Sequence, residues 1–533
     1  MARWTWLSLG ALVAAVAGWL VFAGGATATP TEAGSAPRFV DETDSGIDHV
    51  YDGEFTFFVG GGVAAFDCDA DGMLDVAFAG GANAAASYRN TSIFGGSIRF
   101  ERVANPDLEL TDVTGVFPID IDSDGTVDLV LTRFGENVVL RGLGGCRFER
   151  ANEPWSIDGG DVWTVGFAAT WEPGESLPTL AFGNYIRLDE NGQQFGGCED
   201  NALLRPDGDT YGDSVDLSPG WCTLSVMFSD WDRTGRTDLR ATNDRHYYRD
   251  GEEQMWQITT AAEPRLYTRD EGWQKMQIWG MGIATHDVTG DGVPEVFLTS
   301  QADNKLQSLV EAAPGPEYTD IAIRRGVTAH RPFTGTDVLP STAWHPEFQD
   351  VNNDGFTDLF ITKGNVEATP GYAVADPNNL LLGQPDGTFV EGAEDAGILD
   401  FAPSRGAVVA DFNADGLLDL VYINRREPAR VWRNVASDAG NWVGVELRQP
   451  GPNPDAIGAW LEIQVGDLTM VREVAIGGGH GGDSLSPVHI GLGPAKDAKV
   501  RVQWPNGEVG PWLNIDANQT VILDRETSVA IER

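Results

Sequence analysis

The chain has 533 residues and carries 80 Asp and Glu against 36 Lys and Arg, a formal net charge of −44. That length allows a large core and more than one domain. Such an acidic surface excludes nucleic-acid backbones and anionic membranes as main partners, and no long one-sign run marks an acidic disordered tail.

The amino terminus reads Arg3, an apolar stretch from Trp4 to Ala23, then Ala26-Thr27-Ala28. This is the pattern of a secretory signal over residues 1–28, followed by a linker at 29–36. The apolar run is also long enough to span a bilayer, so an uncleaved anchor is the alternative. Either way the rest of the chain is expected to be secreted, periplasmic or on the cell surface, with no lipid contact beyond such an anchor.

Further along, a nine-residue pattern recurs. Asp67, Asp69, Asp71 and Asp75 occupy positions 1, 3, 5 and 9 of the first copy, with Gly72 at position 6. The same positions hold Asp120, Asp122, Asp124 and Asp128; Asp287, Thr289, Asp291 and Glu295; Asp350, Asn352, Asp354 and Asp358; and Asp411, Asn413, Asp415 and Asp419. Oxygen-only ligands at this spacing describe a cage for a hard cation, and the absence of His or Cys from ligand positions selects Ca2+ over zinc or copper. Two carboxylates ~4 Å apart repel by roughly 4 kcal/mol at an effective dielectric of ~20, so a cation is needed to hold such a loop compact. About five Ca2+ sites follow.

An EF-hand needs a bidentate Glu at position 12 and flanking helices. Here position 12 is Phe78, Leu131, Leu298, Ile361 and Tyr422, and each loop is followed by alternating strand sequence such as Val127-Asp-Leu-Val-Leu-Thr132. Each cage therefore joins two strands. Two weaker copies fill the gap between 120 and 287. Asp230, Asp232, Thr234 and Asp238 make a weak metal loop, and Trp171–Thr179 keeps the spacing without the ligands. The seven loop starts lie 51 to 63 residues apart. An Asn-x-Leu-x-Arg-like strand follows most of them, as at Asn137 and Asn201. Seven units of about four strands predict an all-β, seven-bladed β-propeller.

These repeats look like the FG-GAP/VCBS repeats of integrin-like propellers. The tail, with Asn441-Trp-Val-Gly444, Asp455-Ala-Ile-Gly458, Gly477-Gly-Gly, His489-Ile-Gly491-Leu-Gly493 and Trp504-Pro505-Asn-Gly507, resembles the ASPIC/UnbV domain. The pairing is similar to the cartilage acidic protein family and its bacterial relatives. It implies a propeller over 37–436, a small β-rich domain over 441–524 and a tail at 525–533. It also implies that the cages share one face and leave the opposite face and the central mouth for a partner.

Cys198 and Cys222 are the preferred disulfide, closing a Gly-rich insertion, with buried free thiols as the alternative; Cys68 and Cys146 fall in different blades and are assigned no pair. Eight of the 17 Trp lie between Trp155 and Trp279 and read as packing between blades before a stacking platform. Arg245, His246, Tyr247 and Tyr248 sit in the irregular part of the fourth blade and form the candidate ligand surface. His480 lies in Gly477–Asp483, read as a flexible loop of the tail. No catalytic residues stand out: nucleophile elbow, P-loop and dinucleotide fingerprint are all missing from the sequence. The expected function is a calcium-binding module for an extracellular protein or glycan, with an enzyme acting on polysaccharide or a small molecule as the alternative. The sequence carries no statement of oligomeric state.

Overall fold

The computed structural model describes residues 36–188, 197–244, 251–328, 339–367, 369–466 and 468–532. Residues 1–35, with the signal or anchor over 1–28 and the 29–36 linker up to Ser35, and the Arg245–Tyr248 surface lie outside the described residues.

Among the described residues the N-terminal part forms seven four-stranded antiparallel units. Their innermost strands are Val63–Phe66, Val113–Ile119, Val162–Thr170, Thr223–Ser229, Gly280–His286, Ala343–Gln349 and Ser404–Ala410. Each neighbours the next, and the last packs beside the first, so the ring closes. The N-terminal strand Phe39–Asp41 completes the seventh unit by pairing with Arg430–Asn434. Radial repetition of this kind leaves only short outer sheet edges, which limits edge-to-edge aggregation. The innermost strands are buried on both faces, which is why they read as runs of Val, Ala, Phe and Ile.

The C-terminal part packs two four-stranded sheets around Val443, Leu461, Ile490, Val500, Trp504 and Val521. One sheet contains a parallel pair, Asn441–Arg448 with Gln519–Asp524. The stretch set apart above as a tail is corrected here: Val529–Glu532 pairs antiparallel with Gln519–Asp524 as the edge strand of that sheet.

Two disulfides are present. Cys198–Cys222 ties the paired strands Ile186–Arg187 and Gly197–Cys198 to the start of the fourth blade. Cys68–Cys146 crosses from the first blade to the second. The sequence reading assigned Cys68 and Cys146 no pair because it placed them in different blades. Adjacent blades bring the two loops together on the same end of the ring.

Candidate metal centres and the interdomain interface

Every cage joins an innermost strand to its neighbour, so all of them emerge from one end of the ring. Their backbone repeats closely. The position-1 carboxylate accepts the N–H groups of positions 5 and 6: Asp67 from Asp71 and Gly72, Asp120 from Asp124 and Gly125, Asp411 from Asp415 and Gly416. Gly at position 6 has φ between 82° and 91° across the six acidic loops, a region that costs Gly little. Position 4 is left-handed as well, at Ala70, Ser123, Arg233, Gly290, Asn353 and Ala414, which the sequence pattern did not reveal.

Position 9 is first a bracket. Asp75 accepts the N–H of Cys68 and of Asn90, Asp128 those of Ile121 and Gly142, Asp358 those of Val351 and Gly383, and Asp419 those of Phe412 and Asn434. One residue thereby fastens the loop to the third strand of its blade.

The donor set fits a hard cation. Asp67, Asp69 and Asp71 each bring an oxygen within 4.8 Å of the others, as do Asp120, Asp122 and Asp128. Asp69 Oδ1, Asp122 Oδ1 and Asn413 Oδ1, all at position 3, are buried without a hydrogen-bond partner. Native proteins rarely leave such atoms orphaned, and an ion is one of the usual reasons when they do. Burial pushes Asp75, Asp120, Asp411 and Glu295 up to about 7 and Asp128 up to about 8, against weaker lowering by backbone N–H groups. Positions 1, 3 and 5, with the remaining lone pairs of position 9, would hold the ion.

Among the described residues three loops carry an arginine: in the second blade Arg141 pairs with Asp122 at 2.8 Å and Asp124 at 3.0 Å beside a full set of acidic ligands, and in two others the arginine stands where ligands are lost. In the third blade Arg205 and Thr179 both bond Glu172, at 2.5 and 2.8 Å. In the fourth, Thr234 replaces the position-5 acid and donates to Asp232, while Arg236 pairs with Asp238 at 3.2 Å. The weak metal loop is thus partly neutralised by an arginine.

The C-terminal domain sits on the cage end. Asn453 N–H donates to Ser123 Oγ at 3.1 Å. Arg233 reaches Glu462 at 2.7 Å and lies over Trp460. Glu473 accepts Ser229 Oγ at 2.6 Å and Asp230 N–H at 2.7 Å. His489 meets Asn353 Oδ1 at 2.6 Å. Ser123, Arg233 and Asn353 are all position-4 residues, lifted to the loop tip by their left-handed backbone.

From this domain the segment Ile476–Leu485 enters the ring and bonds to innermost strands. Ala169 N–H donates to Ile476 C=O, Val116 N–H to Gly481 C=O, Gly478 N–H to Val226 C=O, and Gly479 N–H to Ile283 C=O, while Ala65 pairs around Ser484. His480 is fully buried. Its Nε2 accepts Gly60 N–H at 3.1 Å, its Nδ1 donates to Met281 C=O at 3.0 Å, and its own N–H donates to His345 Nδ1 at 3.1 Å. Its ring lies against Trp344, which Arg405 covers at 4.0 Å. Two expectations are corrected by this plug. His480 does not belong to a flexible loop, and the cage-side mouth of the ring is filled. The sequence did hold a signal: Gly62, Gly115, Gly282 and Gly406 recur in or beside innermost strands, and a methyl at Gly62 would fall 1.5 Å from Gly481 O. The Trp cluster is mainly packing, with Trp163, Trp231, Trp256 and Trp273 buried.

These features define a β-propeller carrying an FG-GAP-like repeat, matched over residues 350–422, and an ASPIC and UnbV domain, matched over 449–530. The chain is similar to cartilage acidic protein 1 of Mus musculus, 28% identical over 169 residues, covering 30% of this chain and 23% of that protein. The Xenopus tropicalis protein of that name is 44% identical over 83 residues, 15% of this chain and 11% of that one. The match thus spans under a quarter of these relatives. Among solved structures, BBS1N in complex with ARL6DN aligns with a TM-score of 0.43 at 10% identity, over 75% of this chain and 97% of that one. An Agrocybe aegerita lectin described as recognising terminal N-acetylglucosamine aligns at 0.37 and 14%, over 73% and 88%.

Proposed function

We propose that this protein is an exported, Ca2+-stabilised propeller that works as an extracellular or periplasmic binding module for a protein or glycan. The observation that carries the reading is the division of the ring into two ends. The C-terminal domain occupies the cage end and plugs the ring. In an antiparallel blade the connections from second to third strand, and from blade to blade, leave from the other end. Those are the connections that carry long non-repeating stretches, such as the described residues 364–367 and 369–378 between the second and third strands of the sixth blade. Variable loops displayed on a rigid scaffold are where recognition sites concentrate. The buried, partnerless oxygens of Asp69, Asp122 and Asn413 support the calcium part of the reading.

The purified exported portion, with Ca2+ and after chelation, is screened against a glycan array and fractionated envelope extract. Saturable binding that falls when segment 364–378 is replaced by a short Gly-Ser linker supports the proposal. Binding to nothing in either set, or turnover of a polysaccharide without stable retention, overturns it.

A further inference from the structure

We propose that the C-terminal domain is a lid on the sixth-blade cage, Asp350–Asp358, so that a cation held there leaves only when the domain lifts. This rests on the calcium reading above and adds an access rule to one of its sites.

The cages differ sharply in exposure. In the first blade Asp71 and Gly72 are exposed and Asp67 and Asp69 half-buried. In the sixth, Asp350, Asn352, Asn353 and Asp358 are all at most 3% exposed and Asp354 9%. The covering atoms belong to the C-terminal domain. Gly493 N–H donates to Asn353 C=O at 2.8 Å, and Gly440 N–H to Asn352 C=O at 3.0 Å. His489 holds Asn353 Oδ1 and stacks on Trp442 with 5.6 Å between ring centroids.

Gly491 lies closest of all. A methyl there would sit 1.8 Å from Asp350 Oδ2 and 2.8 Å from Asn353 Cα. Only a residue without a side chain lets the lid reach the carboxylate. The motif His489-Ile-Gly491-Leu-Gly493 is therefore a strip of backbone laid over a cage, with His489 as its anchor.

The sealed space is rich in negative charge. Asp350 and Asp358 are buried together, and the charges bearing on them come from each other and from Asp354. Among the described residues no ion pair reaches Asp350 or Asp358, Arg472 bonding Thr357 Oγ1 at 2.9 Å instead, and buried carboxylates without a counter-charge are costly. The adjoining seventh cage is joined to this one by Asn353 Nδ2–H donating to Gly416 C=O at 2.9 Å. It holds the fully buried, partnerless Asn413 Oδ1, a separate sign that an ion belongs in this region. An ion beneath a docked domain exchanges at the rate at which that domain opens, and such sub-global openings are slow compared with loop motion.

The test loads the exported chain with Ca2+, mixes it rapidly with a fluorescent chelator and follows release. Two phases are expected, the slower by about tenfold or more. Asp354→Ala removes the slow phase and keeps the fast one. Gly491→Ala speeds the slow phase by a similar factor and leaves the fast phase alone; His489→Ala does the same more mildly and serves if Gly491→Ala does not fold. A single fast phase in the parent, a slow phase that survives Asp354→Ala, or one unmoved by the folded lid variants overturns the lid. Equilibrium dialysis separates the two readings: no bound Ca2+ overturns the calcium assignment itself, whereas bound Ca2+ with uniformly fast release overturns only the lid.

Discussion

His480 Nε2 accepts the backbone N–H of Gly60 at 3.1 Å, although the two residues are 420 positions apart in the chain. The contact fixes the neutral tautomer, with the proton on Nδ1 facing Met281 C=O, and burial lowers the imidazole to about 3. It also ties the C-terminal domain into the core of the ring. His480→Ala strands Gly60 N–H and Met281 C=O in a buried site and is expected to cost about 2–4 kcal/mol. Because the plug bonds to several blades, calorimetry should show one transition for both domains; two resolved transitions would contradict an integral plug.

The brackets and the ion ligands should separate by mutation. Asp419→Ala removes the acceptor for Phe412 N–H and Asn434 N–H, and should destabilise by about 2–4 kcal/mol even in chelator, with a further loss in Ca2+ from its remaining ligand lone pairs. Asp71→Ala removes the acceptor for the half-buried Met73 N–H, so its cost should emerge chiefly when Ca2+ is present. Urea titrations in Ca2+ and in chelator check both.

The two loops in which an arginine stands where ligands are lost should be indifferent to metal. Arg205→Ala leaves Glu172, 7% exposed, without its cation, a loss of about 2–3 kcal/mol. The loss should be equal in Ca2+ and in chelator, whereas chelation alone lowers the parent's melting temperature by several degrees.

In the metal-free protein, buried Asp75, Asp120, Asp411 and Glu295 at about 7, and Asp128 at about 8, keep protons that the unfolded chain has released. With pKa values raised on folding, their contribution is complete below the unfolded carboxylate range and is lost as pH rises through 7 to 8. The chelated protein should therefore melt higher at pH 6.5 than at pH 8.5, these two pH values being chosen around the shifts just given. With Ca2+ present the order should reverse, because the ion binds the ionised form. His480 and His489, lowered to about 3, and His49, to about 4, lose stability as pH falls through the ordinary imidazole value, so at pH 6.5 they oppose the carboxylate trend, by less than the five carboxylates together favour it.

Cys68–Cys146 spans 78 residues and Cys198–Cys222 spans 24. On loop-closure entropy the first should stabilise by about 4 kcal/mol and the second by about 3. Cys146→Ser and Cys222→Ser, compared by urea unfolding, test that order, and a larger loss from the short loop would contradict it.

Much of this was legible in the chain itself. Spacing of Asp and Gly exposed each cage because a strand–loop–strand turn around an ion restricts residue type at fixed positions. The all-β character followed from period-two alternation after each loop. The bracket role of position 9 was hidden, since a residue that bonds two N–H groups and one that ligates an ion are both written Asp. The Cys68–Cys146 bridge was hidden too, because sequence distance says nothing about which loops share an end of a ring.

The order of the repeats and the ligand chemistry of each loop belong to the sequence alone, because both are set by contacts within some nine residues. What covers those loops belongs to the tertiary structure. The glycines flanking His480 at 477–482 are permissive backbone and commit to no partner. Only the closed ring, with Gly62, Gly115 and Gly406 lining its axis, makes a space that glycine backbone fits and larger residues do not.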